Sequence, residues 1–304
     1  MSTEGNMNDR PPIMPGTLIR GIGSFYTVSD GENKQYTVRC KKKFRREKIT
    51  PLVGDKVLFS PGTGEEHGWL EEILPRKTVC LRPPVANATM LAIVIAPVPE
   101  TDMLLTDRLI ARARGQEIRP LLVVNKADAD PGYADVIRKE YKGSGIPVFS
   151  VSALEKKGLD QLRDALQGEL CCFTGQSGVG KSTLLNALLN LNLETGDISR
   201  RIDRGKNTTR HSELIEKDGI CVMDTAGFNL LMPENEMEPE KLKDRYPEFS
   251  EYEGQCRFRE CLHDKEPGCA VRNAANQGLI SVTRLSRYQQ LLNEIREVWR
   301  ERYD

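Results

Sequence analysis

No long apolar run occurs in this 304-residue chain. The longest, Met90 to Val98, is far below the roughly 18 residues that a membrane-crossing helix needs. The amino terminus, MSTEGNMNDRPP, is polar and has no hydrophobic signal core, so neither a membrane span nor secretion by the usual route is expected. Net charge is missing as well. The 44 Lys and Arg balance 44 Asp and Glu, which removes any global electrostatic case for a nucleic-acid or acidic partner and leaves only local patches. Eight Cys without a secretory signal read as reduced thiols or metal ligands, not as a disulfide framework, and the expected compartment is the cytoplasm.

At about 150 residues per domain the length predicts two domains, with room for a small third module. The patterning supplies three parts. Residues 1–14 read as a disordered tail. From 15 to 84, short β-branched and aromatic runs (Thr17–Ile19, Phe25–Val28, Tyr36–Val38, Lys56–Phe59, Trp69–Leu74) are separated by Asp30-Gly31, Gly54-Asp55 and Pro61-Gly62. About five strands and no long helix predict a small OB-like barrel. Between two of those strands lies RCKKKFRREK, carrying Arg39, Lys41, Lys42, Lys43, Arg45, Arg46 and Lys48 around Phe44. It reads either as a solvated loop or as an RNA-backbone patch with Phe44 as a stacking ring.

From 85 to 232 the pattern alternates. Apolar runs at Leu91–Ala96, Leu121–Val124, Val148–Val151, Cys171–Thr174 and Gly219–Met223 are interleaved with helical stretches at Thr106–Gly115, Leu159–Leu166 and Ser182–Leu191, which predicts a largely parallel sheet covered on both faces. The last part, 233–304, carries a Cys/His cluster and an amphipathic helix whose Leu285, Tyr288, Leu292, Ile295 and Trp299 share one apolar face.

The chemistry is concentrated in the alternating part. Gly175-Gln176-Ser177-Gly178-Val179-Gly180-Lys181-Ser182-Thr183 joins a strand to a helix and matches the phosphate-binding loop. Its glycines let backbone amides point at phosphate oxygens, Lys181 brings a positive charge to the β- and γ-phosphates, and the Ser182 hydroxyl is a Mg²⁺ ligand. Asn125-Lys126-Ala127-Asp128 follows another strand. The Asp128 carboxylate matches the paired N–H donors of guanine, which adenine lacks, Asn125 bridges neighbouring loops, and the Lys126 stem can lie over the ring. Ser152-Ala153 is expected to give guanine O6 a backbone amide. Asp224-Thr225-Ala226-Gly227 ends a strand, placing Asp224 near Mg²⁺ and the Gly227 amide near the γ-phosphate, and Thr209, or its neighbour Thr208, completes the metal shell. The catalytic set is therefore Lys181, Thr209, Asp224 and Gly227.

The motif order is unusual, because Asn125 precedes Gly175 where Ras-like proteins have the phosphate loop first. A site built at one sheet edge survives such a circular permutation. Beyond it, Cys256, Cys261, His263 and Cys269 offer three thiolates and an imidazole, a set suited to one structural tetrahedral Zn²⁺.

Taken together, barrel, permuted motifs and Cys-x4-Cys-x-His-x5-Cys, the chain from about residue 15 onward resembles the ribosome small subunit-dependent GTPase A family. The resemblance implies an OB domain, a circularly permuted α/β P-loop GTPase domain and a small zinc domain. It also implies GTP and GDP as ligands and GTP hydrolysis stimulated by the small ribosomal subunit and its rRNA during late assembly. A monomer is expected. Two positions depart from the family pattern. Asn207 stands where a His commonly precedes the Thr pair, and Ala226 where Pro is common. Phe228 occupies the place of the water-orienting Gln of Ras-type enzymes, so no residue is assigned to that role. A GTP-gated rRNA-binding factor with negligible catalysis, or an ATP-dependent P-loop enzyme, would share parts of this pattern.

Overall fold

A computed structural model describes residues 11–32, 34–62, 66–81, 84–191, 214–224 and 237–301. Residues 1–10 of the expected tail lie outside this set, as do Asn207, Thr208, Thr209, Gly227 and Phe228.

Strands β1 (Met14–Ile22), β2 (Phe25–Ser29), β3 (Gln35–Cys40), β4 (Lys56–Ser60) and β5 (Gly68–Ile73) close into a barrel in the order β1-β2-β3-β5-β4. Only the β3–β5 pair is parallel. Alternation sets the inside: Leu18, Val28, Val38, Val57, Phe59 and Leu70 are fully buried. A register shift after Leu18 bends β1, as a bulge does where a small barrel turns its corner. Gly16 makes the closure possible, since a Cβ there would lie 2.4 Å from Val28 Cγ1. The basic segment forms α1 (Lys42–Arg46) rather than an open loop, and turns Phe44 into the barrel core at 3% exposure. The expected stacking role for Phe44 is thereby corrected: an apolar ring amid cations goes inside, where burial stabilises it by about 2 kcal/mol.

A short hairpin, β6 (Val79–Leu81) and β7 (Pro84–Ala86), leads out of the barrel. The buried Asp55 fixes the segment that enters it, accepting two hydrogen bonds from Arg76 at 2.7 and 2.9 Å and one from the Leu52 amide at 2.7 Å. The second sheet has the order β10 (Val148–Ser150), β9 (Arg119–Val124), β8 (Met90–Ile95), β11 (Leu170–Thr174), β13 (Ile220–Asp224), β12 (Leu214–Lys217). All neighbours are parallel except β12 with β13. One face, including Leu91, Ile93, Leu122 and Cys172, packs on α2 (Met103–Gly115) and α3 (Tyr133–Glu140), and the same core runs on into the barrel. The other face, including Ala92, Leu121, Cys171 and Phe173, packs on α4 (Leu159–Leu166) and α5 (Lys181–Leu188).

Among the described residues, the carboxy-terminal module consists of three short 3-10 turns, α6 (Ala270–Asn276) and α7 (Val282–Arg300). The apolar face of α7 packs Leu285, Tyr288, Leu292 and Ile295 against Leu242, Tyr246, Phe249 and Ala111 of α2, while Trp299 is only half-buried. Beside this face an ionic knot joins α7 to α2. Arg284, 1% exposed, pairs with Asp107 and Glu248 and lies over the Tyr141 and Tyr246 rings, 4.4 and 4.8 Å from their centroids. Burial opposes the Arg284 charge, but Asp107 and Glu248 outweigh it and raise its pKa. Arg287 adds a second bond to Asp107, at 2.5 Å, and Tyr141 a third, at 2.8 Å.

Arg284→Ala leaves Glu248 buried without its cation and Asp107 with Arg287 alone. It should cost about 3 to 5 kcal/mol and lower the thermal midpoint of the full chain, whereas Arg284→Met combined with Asp107→Asn and Glu248→Gln should recover much of the loss. A melt of Arg284→Ala that coincides with the parent would refute this account of the knot.

Candidate functional site: a phosphate loop, a guanine loop and a thiolate cluster

The parallel strands β10, β9, β8, β11 and β13 all end at one edge of the sheet, which is where open α/β sheets bind ligands. The phosphate loop leaves β11 and enters α5 there. Val179 is fully buried and pins the loop to the core, and Ser177 is exposed. Lys181 Nζ donates to the carbonyls of Gly175 and Gln176, at 2.7 and 3.0 Å, so its ammonium lies within the loop. Ser182 and Thr183 stand in the first turn of α5, where unpaired amides and the helix dipole favour an anion.

Asn125, 2% exposed, ties this loop to two others. Its Nδ2 donates to the Val179 carbonyl at 2.9 Å and its Oδ1 accepts from the Ala153 amide at 3.1 Å. Gly180 allows the approach: its φ is +90°, and a Cβ there would lie 2.5 Å from Asn125 Nδ2. Lys126 has left-handed backbone, φ +62°, which costs a non-glycine residue about 1 kcal/mol or more. Its ammonium offsets that by donating to the carbonyls of Val98 and Gly178, at 2.8 and 2.7 Å, so the stem crosses from the guanine loop to the phosphate loop. The Ala127 amide donates to Val151, and exposed Asp128 accepts from the Ser152 hydroxyl.

The Ser152-Ala153 pair is held on both sides, Ser152 giving its N–H to Lys157 O and Ala153 to Asn125, each at 3.1 Å. The pair thereby helps to orient Asp128 and Asn125. Gln176, named above within the phosphate loop, has a further contact that the sequence does not show: its Oε1 accepts from the Asp102 amide at 3.0 Å and so joins the loop to the start of α2. Asp224 is the last residue of β13, as expected.

The ligand atoms of Cys256, Cys261, His263 and Cys269 lie within 4.8 Å of one another. His263 Nδ1 is 3.7 Å from Cys256 Sγ and 3.4 Å from Cys269 Sγ, and those two sulfurs are 4.0 Å apart. A tetrahedral Zn²⁺ with bonds of about 2.3 Å to sulfur and about 2.0 Å to nitrogen has edges of about 3.8 Å and about 3.5 Å, so the set fits. Each of three thiolates also has a backbone donor: Ala270 N–H to Cys256 at 3.3 Å, His263 N–H to Cys261 at 3.4 Å, Arg272 N–H to Cys269 at 3.5 Å. Burial holds the His263 imidazole at about 4, below its ordinary 6.5, so it is neutral as a ligand must be. Burial pushes the Cys261 thiol up to about 12, a shift that a bound cation would oppose. Of the remaining cysteines described, Cys171 and Cys172 are buried, and Cys40 and Cys221 half-buried.

On the barrel, Lys42, Lys43, Arg45, Arg46 and Lys48 are exposed, whereas Lys41 is paired with Glu71. Arg39 stands on the β3 outer face with its guanidinium 4.6 Å from the Phe25 ring centroid. No helix among the described residues is long and apolar enough to cross a membrane.

The thiolate cluster should take up one Co²⁺ per chain and show intense thiolate-to-metal absorption. Uptake should tighten as pH rises, because three thiols must lose protons to bind. Cys269→Ser should lose that absorption; its persistence would refute the assignment.

Comparison with known proteins agrees with this layout along the chain. Residues 15–70 match the family model described as RsgA N-terminal domain, residues 73–232 that described as RsgA GTPase, and residues 170–295 that of a 50S ribosome-binding GTPase. A small ribosomal subunit biogenesis GTPase RsgA from Ruminiclostridium cellulolyticum is 40% identical over 293 residues, covering 93% of this chain and 94% of that protein. Its counterpart in a Geobacillus species is 42% identical over 289 residues, at 93% and 97% coverage. Among solved structures, YjeQ from Thermotoga maritima superposes with a TM-score of 0.80 at 31% identity, covering 93% of this chain and 99% of that one. YloQ, described as a circularly permuted GTPase, gives 0.76 at 30% identity, covering 96% and 98%. With the permuted loops, the closed barrel and the thiolate cluster all in place, the chain belongs to the RsgA GTPase family.

Proposed function

We propose that this protein hydrolyses GTP to GDP and phosphate on the small ribosomal subunit, in a subunit-stimulated step of late maturation. The observation that carries the reading is the junction at Asn125. One side chain holds the phosphate loop at Val179 and the loop of Ala153, and the adjacent Lys126 and Asp128 complete a cleft for a guanine nucleotide. In it, the Asp128 carboxylate, held by Ser152, accepts from the two guanine N–H donors. The amides of Gly175 to Thr183 and the Lys181 ammonium take the phosphates.

Ser182, Asp224 and Thr209, or Thr208, would hold Mg²⁺, which supplies charge neutralisation at the β- and γ-phosphates, and the Gly227 amide would meet the γ-phosphate. Cys256, Cys261, His263 and Cys269 would hold a structural Zn²⁺ that organises the carboxy-terminal module. The exposed cations of α1 and the zinc module would face rRNA phosphates. The protein works as a monomer in the cytoplasm under this reading. Phe228 cannot bond a water and Asn207 stands in place of the family's usual His, so hydrolysis by the isolated chain is slow and the subunit completes the site.

The test is phosphate release with and without small subunits. A marked rise on adding subunits is expected, with GTP displacing bound GDP far better than ATP does. Equal rates would point to a GTP-gated binder instead of a subunit-stimulated enzyme. Asp128→Asn, which exchanges an acceptor for a donor, should shift preference from guanine toward xanthine nucleotides by about a hundredfold or more. Unchanged base preference would remove Asp128 from base recognition.

A further inference from the structure

One row of the barrel's outer face leaves large apolar side chains exposed to solvent. Strand pairing places Ile22 opposite Phe25, Phe25 opposite Arg39, and Arg39 opposite Trp69, so the four side chains run side by side across β1, β2, β3 and β5. Ile22 is 45% exposed and Trp69 46%, although Leu70, next to Trp69 on β5, and Val38, next to Arg39 on β3, are fully buried. Trp69 thus turns a large ring to solvent on a strand whose core side is already satisfied.

Arg39 between the rings is not loose. Its guanidinium lies 4.6 Å from the Phe25 centroid, and His67 meets the same ring edge-on with centroids 4.9 Å apart. Phe25 is therefore covered by its neighbours and acts as the bed on which the Arg39 plane rests. Trp69 presents the open ring. A guanidinium plane and an indole side by side on adjacent barrel strands are a surface on which unpaired bases stack. The charge around it suits the same occupant: α1 follows β3 directly and exposes Lys42, Lys43, Arg45 and Arg46, while the nearest acid on the β5 outer face, Glu71, is neutralised by Lys41.

We propose that Trp69 and Arg39, with Phe25 positioning Arg39, form a stacking subsite for unpaired RNA bases, the α1 cations holding the adjoining phosphates. The inference rests on the reading that the barrel meets rRNA and specifies what it meets there: a single-stranded segment or flipped-out bases, not the backbone of a regular duplex. It also replaces Phe44, which the fold withdraws into the core, as the aromatic partner of the basic segment.

The full-length chain is titrated with a fluorescein-labelled oligouridylate of about 12 nucleotides. A hairpin RNA duplex of the same length serves as comparison, in a Trp299→Phe background where Trp69 is the only remaining tryptophan. The oligouridylate should bind more tightly than the duplex and quench Trp69 emission. Trp69→Ala should weaken oligouridylate binding about tenfold with little change in its salt dependence, Trp69→Phe should retain most of the affinity, and Lys42→Ala with Lys43→Ala should flatten the salt dependence. Thermal melts should match across the Trp69 variants, because the side chain faces solvent. The proposal is overturned if Trp69→Ala binds the oligouridylate like the parent, or if the duplex binds as tightly and quenches Trp69 equally. Subunit-stimulated phosphate release by the parent chain, measured in parallel, tests the ribosomal reading on its own. Its absence defeats that reading, whereas an indifferent Trp69→Ala defeats only the stacking subsite.

Discussion

The site depends on one buried amide. Asn125 is the point at which loops from β9, β10 and β11 are held at fixed spacing, donating to one and accepting from another. A carboxylate there would be unable to donate to the Val179 carbonyl, and an apolar residue would leave that carbonyl and the Ala153 amide buried without partners. The cost of the arrangement is visible next door, in the left-handed Lys126 backbone and in a Gly180 that tolerates no side chain. Strain of this kind persists only where the surroundings over-determine it, and here the two Lys126 contacts to Val98 and Gly178 do so.

A second chain of contacts runs away from the nucleotide cleft. Gln176 in the phosphate loop accepts from the first turn of α2, α2 carries Asp107 one and a half turns later, and Asp107 is gripped by Arg284 and Arg287 of α7. The helix that touches the phosphate loop is thus the helix on which the carboxy-terminal module is riveted. The module is attached by charge in the interior, where geometry is fixed and partners are few, and not by apolar packing alone, which would tolerate sliding.

Motifs whose residues are adjacent in sequence were legible, because local spacing determines what they do. The phosphate loop, Asn125 to Asp128 and the Cys/His cluster fall where a strand end or a tight knuckle puts them. Short elements were not. α3 and β12 carry too few apolar positions to set a period, and β6 and β7 are three residues each. Phe44 was misread since composition records seven cations around one ring but not which way a one-turn helix rotates it. Arg284 was invisible for a different reason. An arginine in an amphipathic helix is ordinarily solvated, and its burial depends on Asp107 and Glu248, 177 and 36 positions away. Ser152-Ala153 shows the same limit on a smaller scale, because the partners of its amides, Asn125 and Lys157, are a matter of tertiary contact.

The permuted strand order also orders events during synthesis. All five barrel strands lie within residues 14–73, so the barrel closes on contacts that are short in sequence, while its chain is still attached to the machinery that makes it. The sheet cannot follow at once. Its central strand β8, at 90–95, waits for β11 at 170–174, and β11 in turn waits for β13 at 220–224. During that interval the face of β8 that will join the common core, Leu91, Ile93 and Ile95, has its paired neighbour β9, the helices α2 and α3 and the finished barrel beside it, but not β11. The first domain to be made therefore contributes, before the sheet is complete, part of the apolar surface that the two share.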